Sequence, residues 1–173
     1  MVFTGEDMKI TEIETFLASG RAFIKVHTDE NISGVGEGGI AWVQRGKTLI
    51  AAIKEAERYL KGKNPLRIEH NWQALYMGTF YREGPVLMST IGAIDVALWD
   101  IAGKYYNTPV YRLLGGPTRN KIRVYVHIGD LPPEKLVENA VKTVKKGYTA
   151  VRWAPFIKDY QRMRFPAVMK MEL

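Results

Sequence analysis

The chain has 173 residues, 46% hydrophobic, 11% aromatic and 25% charged, which suits one folded domain, or one small domain plus part of another, and excludes a largely disordered tract. It has no cysteine, so disulfides, cysteine-based zinc sites and thiol catalysis are excluded. The formal net charge is +7, and residues 121–173 hold most of it, with 11 Lys/Arg against five Asp/Glu. These bases are spread through an amphipathic pattern and not gathered in a block, which points to a solvated helix face or an anionic small-molecule site in preference to nucleic acid.

Met8 to Ala18 is rich in Thr and Ile and is expected to be a strand. Arg21 to Thr28 alternates, with Ala22, Ile24 and Val26 on one face and Phe23, Lys25 and His27 on the other. Asp29 to Asn31 turns the chain, and Ile32 to Gly36 returns as a third strand of an antiparallel meander. Gly34 to Gly39 formally fits G-x-G-x-x-G, but no helix opens there and no acidic partner follows at the required spacing, so the glycines are read as aids to tight strand packing.

Thr48 to Leu60 repeats Leu49, Ile53, Ala56 and Leu60 at helical spacing. A second helix is expected over Ile68 to Phe80, with Trp72, Tyr76 and Phe80 on one aromatic face. After Gly84-Pro85, Val86 to Tyr105 is apolar nearly all round and rich in small residues, which predicts a helix at the centre of a helical bundle. Asp95 and Asp100 interrupt this apolar run and make it too short and too charged for a membrane span. They do not share a helical face and make no metal pair; Asp100 and Lys104 are placed for an i,i+4 ion pair. Trp72, Tyr76, Phe80, Trp99 and the methionines are assigned to the core, His27 and His70 to the surface or to caps. No basic stretch leads into an apolar run at the N-terminus, so no secretory signal is read and a cytoplasmic location is expected.

The period then changes. Ile122 to Ile128 reads as a strand, Pro132-Pro133 opens a helix to Lys146 with Leu136, Ala140, Val141 and Val144 inward, and Thr149 to Trp153 reads as a strand. This is one strand–helix–strand unit of a parallel α/β sheet or barrel. The fold class is therefore an α+β domain over residues 1–117, an antiparallel meander plus helices, followed over 118–173 by the start of an α/β domain.

Gly92 to Gly116, GAIDVALWDIAGKYYNTPVYRLLGG, resembles the signature segment of the mandelate racemase and muconate-lactonizing branch of the enolase superfamily. The preceding RIEHNWQALYMGTFYREGPVLMST is similar to the galactonate and mannonate dehydratase group, and KITEIETF, FIKVHTDE and GVGEGG agree with the same family. Thr90 departs from it, since the family more often has Ala there. The resemblance implies an enzyme whose α+β capping domain closes over the mouth of a modified (β/α)8 barrel, and that residues 118–173 are the first βαβ unit of such a barrel, incomplete here. It implies loss of water from an acid sugar, giving a 2-keto-3-deoxy product, with Mg²⁺ held by one carboxylate from each of strands three, four and five.

A complete barrel of this kind takes about 250 residues, whereas Lys121 to Leu173 supply 53. The family's metal positions and its later acid and base groups are expected beyond Leu173, so this chain is expected to contain no metal ligands and to be inactive alone. Asp159 to Leu173 is read as the start of a further barrel helix.

Several residues carry over from the resemblance. Arg152 stands where many relatives have a catalytic Lys of a Lys-x-Lys pattern; Arg152-Trp153-Ala154 instead resembles the mannonate dehydratase pattern, in which Arg assists a nearby Tyr base. A guanidinium can also bind a substrate carboxylate. Tyr160 is the nearest phenol after Arg152, although the family's Tyr sits in a longer loop. His127 matches a substrate-contacting position. The loops at Ala18 to Arg21 and Trp42 to Lys47 match those that reach the barrel mouth, making Arg21 and Trp42 substrate-contact candidates. A surface salt bridge for Arg152, a solvated strand end for His127 and helix packing for Tyr160 are the plainer alternatives. Expected partners are an acid sugar if the barrel is completed, and either further copies of the chain or a complementary barrel chain, without nucleic acid or membrane. A non-catalytic, self-associating capping module is the competing reading.

Overall fold

The computed structural model describes residues 8–39, 45–82, 84–129 and 132–153. The chain divides into two compact units, Met1–Pro117 and Thr118–Leu173.

The first unit opens with an antiparallel three-stranded sheet in the order β1 (Ile10–Ala18), β2 (Arg21–Thr28), β3 (Ser33–Gly38). Ala22, Ile24, Val26 and Thr28 of β2 are buried in strict alternation, because the period of two sends them all to the covered face. Between β1 and β2, Ser19 and Gly20 both take positive φ, 49° and 74°, as a two-residue hairpin turn matching the strand twist requires. β3 runs two residues further than its expected end at Gly36, since Ala22 pairs with Gly38 and holds it in the ladder.

The helices α1 (Gly46–Leu60), α2 (Ile68–Met77) and α3 (Pro85–Tyr105) follow, with a short turn α4 (Val110–Leu113). α1 buries Leu49, Ile53 and Leu60 on one stripe. α2 stops at Met77 and not at Phe80: the helix ends at Gly78, the Thr79 hydroxyl donates to the Tyr81 carbonyl, and Phe80 is 92% exposed. The aromatic face therefore reduces to Trp72 and Tyr76, stacked at 5.1 Å and only partly buried. The expected core is corrected further. Trp99 packs at the core's edge, Met77 and Met88 are exposed, and Met8 is fully buried. The centre is aliphatic, built from Ile10, Ile13, Ile24, Val26, Leu49, Ile53, Ile94, Leu98 and Ile101.

α3 is central to the helices, as expected, packing against α1, α2 and α4, but its closest partner is the sheet and not another helix. A Cβ at Gly36 would collide with the carbonyl of Ala93, and one at Gly34 with the carbonyl of Ala97. The small residues of α3 and the alternate glycines of β3 therefore interlock, backbone against backbone. The buried Thr90 hydroxyl donates to the Val86 carbonyl at 2.9 Å, so this polar side chain sits on the core face without a stranded polar atom. By length and composition alone α3, with mean hydropathy 1.5 over its most apolar window, meets the requirement for a membrane span, contrary to the expectation from Asp95 and Asp100. In this fold Ile91, Ala93, Ile94, Ala97, Leu98, Ile101 and Ala102 are buried as the core face of α3.

Both edges of the sheet are closed by helix side chains. At the β1 edge the Ile13 amide donates to Glu57 Oε1 at 2.6 Å, and Lys54 Nζ donates to the Ile13 carbonyl at 2.5 Å and to Glu57 Oε2 at 3.0 Å. At the β3 edge the Val35 amide donates to Asp100 Oδ2 at 2.9 Å, while Lys104 Nζ donates to the Ser33 carbonyl at 2.6 Å and to Asp100 at 2.7 Å. The i,i+4 pair is thus present and also caps a strand edge that would otherwise offer open hydrogen-bonding groups.

The second unit contains β4 (Val126–His127), α5 (Pro133–Lys145) and β5 (Val151–Arg152), with β4 and β5 parallel. Both strands are shorter than expected. The pairing covers Val126 with Val151 and His127 with Arg152, and it is flanked by the Val126 amide on the Ala150 carbonyl and the Ile128 amide on the Arg152 carbonyl, at 3.2 and 3.0 Å. Residues 121–125 lie outside it; there the Arg123 side chain grips Thr149 instead. On α5, Leu136 and Ala140 are partly buried, but Val141 and Val144 are exposed, so the expected inner face is only half used. The segment expected to form the next helix, 159–173, lies outside the described residues.

Gly36→Ala is expected to lower unfolding stability by about 1–3 kcal/mol through overpacking, read from the urea midpoint. Gly92→Ala, where nothing lies within 4 Å of the new Cβ, is expected to be neutral or to stabilise by up to about 1 kcal/mol as a helix substitution. Burial pushes the Glu57 carboxyl up, but the Ile13 amide, Lys54 and Lys61 outweigh it and hold the pKa below the ordinary 4.5. A depressed folded pKa contributes stability that is present above the ordinary value and lost as pH falls through the folded one. Glu57→Gln should therefore destabilise by about 1 kcal/mol near neutral pH, and the gap to wild type should narrow progressively as the pH falls below 4.5 and through the lowered folded-state value.

Candidate functional site

In a strand, alternate side chains share a face. His127 and Arg152 are direct partners in the parallel ladder, so two of the expected site residues come together on one face of the β4–β5 pair. Tyr125, two residues before His127, shares that face. Its hydroxyl meets Arg152 Nη1 at 3.1 Å, and the guanidinium lies 5.8 Å from the ring centroid. Val126, Ile128 and Val151 take the opposite, more buried face.

Neighbouring contacts hold this short pair in place. Arg123 donates to Thr149 through Nε at 2.9 Å and Nη2 at 2.6 Å, tying the approach to β4 to the approach to β5. Asn139 of α5 donates to the Ile128 carbonyl at 3.1 Å and anchors the end of β4. The Gly129 amide donates to His127 Nδ1 at 3.3 Å, which leaves Nε2 to carry the ring proton in the neutral form. No carboxylate pairs with Arg152 among the described residues. The exposed face thus combines a guanidinium that keeps its positive charge, an imidazole and a phenol. That set can donate hydrogen bonds to an anion, a carboxylate in particular.

Tyr125 was missed by sequence reasoning, which looked for Arg152's phenol after the second strand. The alternation in Val124-Tyr125-Val126-His127 already placed Tyr125 beside His127, but its pairing with Arg152 depends on the register between strands. Tyr160 and Trp42 lie outside the described residues. Arg21, in the first unit, sits just after the hairpin turn, where Nη1 pairs with Glu37 at 3.2 Å in an exposed ion pair.

The fit to a divalent metal is poor. Among the described residues no group of three His, Asp or Glu side chains is placed to hold a metal ion, and the cationic Arg152 would repel one. The first unit has its own cleft of about 490 Å³, lined in part by Arg67, Glu69, His70, Asp95, Trp99 and Tyr106. Burial, with the neighbouring Glu69 charge, pushes the Asp95 carboxyl above its usual range.

Residues 8–115 match the family described as mandelate racemase / muconate lactonizing enzyme, N-terminal domain. The D-galactonate dehydratase of Pectobacterium atrosepticum is 46% identical over 142 residues, which is 82% of this chain and 37% of that protein. The D-galactonate dehydratase of Cronobacter sakazakii is 44% identical over 140 residues, 80% of this chain and 36% of that protein. Among solved structures, an enolase from Pantoea ananatis with bound D-gluconate and Mg superposes with a TM-score of 0.78 at 35% identity, covering 85% of this chain and 36% of that one. A putative dehydratase from Salmonella reaches 0.80 at 35% identity, covering 86% and 43%. The chain therefore spans little more than a third of the length of the curated relatives it matches. With a three-stranded meander closed by helices over the matched residues, this chain belongs to the mandelate racemase / muconate lactonizing enzyme family and carries its N-terminal domain.

Proposed function

We propose that the chain is the N-terminal portion of a sugar-acid dehydratase-like protein: its first unit is a capping domain and its second the beginning of a barrel. The observation that carries this reading is the juxtaposition of His127 and Arg152 on one exposed face, in a chain 46% identical to a D-galactonate dehydratase. The guanidinium and the imidazole would bind and orient the carboxylate of an acid sugar, with Arg21 and Trp42 as further contacts from the capping loops and Tyr160 as a candidate acid–base phenol. Mg²⁺, the family's ion, would have to be held by carboxylates that a complete barrel supplies, because the described residues do not fit it. A proton next to a carboxylate is too weakly acidic to be removed without such stabilisation of the resulting anion. The chain alone is therefore proposed to be inactive, in a cytoplasmic setting, and to act with neither nucleic acid nor membrane.

A second reading rests on the exposed apolar side chains of the second unit, including Val137 at 64%, Val144 at 60% and Ile122 at 77%. These need cover. A complementary barrel chain would supply it under the first reading; further copies of the same chain would supply it under a self-associating capping-module reading.

Homogeneous 173-residue protein, incubated with D-galactonate or D-gluconate and Mg²⁺, is expected to form no 2-keto-3-deoxy product. Co-expression with a chain carrying the remaining barrel strands of a relative is expected to yield turnover. Product formed by the 173-residue protein alone would refute the proposed incompleteness of the site. Native mass spectrometry separates the two readings: a complex with a second, different chain supports the dehydratase reading, and a homo-oligomer with no such chain supports the module.

A further inference from the structure

We propose that Tyr125 is the positioning residue for Arg152, holding its guanidinium on the exposed face of the β4–β5 pair so that the remaining N–H donors are presented to a carboxylate. The carboxylate part of this rests on the sugar-acid reading above; the positioning part does not.

An arginine at the end of a two-residue strand has little to restrain it, since its long side chain carries roughly 2 kcal/mol of rotamer entropy. Tyr125 restrains it in two ways. The phenol oxygen accepts a hydrogen bond from Nη1 at 3.1 Å, and the guanidinium stays close to the hydroxyl end of the ring, with Cζ 5.8 Å from the centroid. Both contacts are made without neutralising charge. A carboxylate in the same place would occupy the guanidinium's fork and cancel the field that attracts an anion. A phenol occupies one of the five N–H donors, and among the described residues no other side chain takes up the rest of the fork. Tyr125 is itself steadied from below, because Arg123, two residues earlier on the same chain, is fastened to Thr149. The arrangement spans both strands: Arg123 and Tyr125 come from the approach to β4, Thr149 and Arg152 from β5 and the residues before it. Guanidinium and phenol are brought together by strand register, so the partner phenol need not come from a loop after β5.

The full 173-residue protein is used for the test, with rotation about the Arg152 Cζ–Nε bond measured by NMR and binding of D-gluconate followed by chemical-shift titration, the uncharged alditol serving as control. In Tyr125→Phe, which keeps the ring and loses the hydroxyl, Arg152 rotation is expected to quicken and gluconate affinity to fall, each by about 3- to 10-fold, the net worth of one typical hydrogen bond at an exposed position. Tyr125→Ala should exceed both effects, while backbone amide shifts of α5 in the second unit, as well as those of the first unit, stay unchanged and show that the protein remains folded. Arg152→Lys should not restore affinity, because an ammonium lacks the fork. Wild-type protein that ignores gluconate, with rotation still quickened in Tyr125→Phe, would sink the sugar-acid reading and leave the positioning role standing. Rotation unchanged in both Tyr125 variants would overturn the positioning role itself.

Discussion

The first unit depends on one close approach, the backbone of α3 against the backbone of β3 at Gly34 and Gly36. Side chains ordinarily keep a helix about 10 Å from a sheet. Here the glycines remove that spacer on the strand, and Ala93 and Ala97 reduce it on the helix. Everything else in the unit follows from this contact. It places Ile94, Leu98 and Ile101 into the aliphatic core with Ile24 and Val26, and it brings Asp100 and Lys104 within reach of the β3 edge. A bulkier pair of interfaces would lift those side chains away from the groups they now satisfy.

Three strands leave two open edges, and the molecule treats them alike. Each edge meets an acidic and a basic side chain from one helix turn, Lys54 with Glu57 at β1 and Asp100 with Lys104 at β3. The acid accepts from a strand amide and the base donates to a strand carbonyl. These pairs substitute for a fourth and fifth strand at single positions. Their value is as much in blocking further strand addition as in the ion pairs themselves, which at partly exposed positions contribute little.

The second unit is held differently. Its ladder is two residues per strand, and side-chain ties from Arg123 and Asn139 do part of what a longer sheet would do. Its exposed valines and its charged face are two aspects of one situation. A parallel pair is normally covered on both sides; here Val126, Ile128 and Val151 form the more buried side, the exposed Val137, Val141 and Val144 lie on α5, and the other side of the pair carries a guanidinium, an imidazole and a phenol. In an assembly that covers those valines, the polar side would be the one left to meet a ligand.

Local patterns in the sequence were sufficient for much of this. The alternation in Arg21 to Thr28, the Gly84-Pro85 entry to α3 and the helical repeat of Leu49, Ile53 and Leu60 each define an element because its period or its end is a property of neighbouring residues. The same reasoning failed where distant residues decided the outcome. Phe80 continues the i+4 series but lies beyond a helix that ends at Gly78, and Ile122 to Val124 have strand composition but no strand partner among the described residues. Sequence alone thus determined that α3 is long, apolar and lined with small residues, and that a strand–helix–strand unit carries His127 and Arg152 at its strand ends. Only the tertiary structure decided that the small residues face glycines of β3 and that Arg152 lies across from His127 and meets Tyr125. Periodicity sets the direction a side chain takes, whereas what it meets depends on the register and approach of segments far away in the chain.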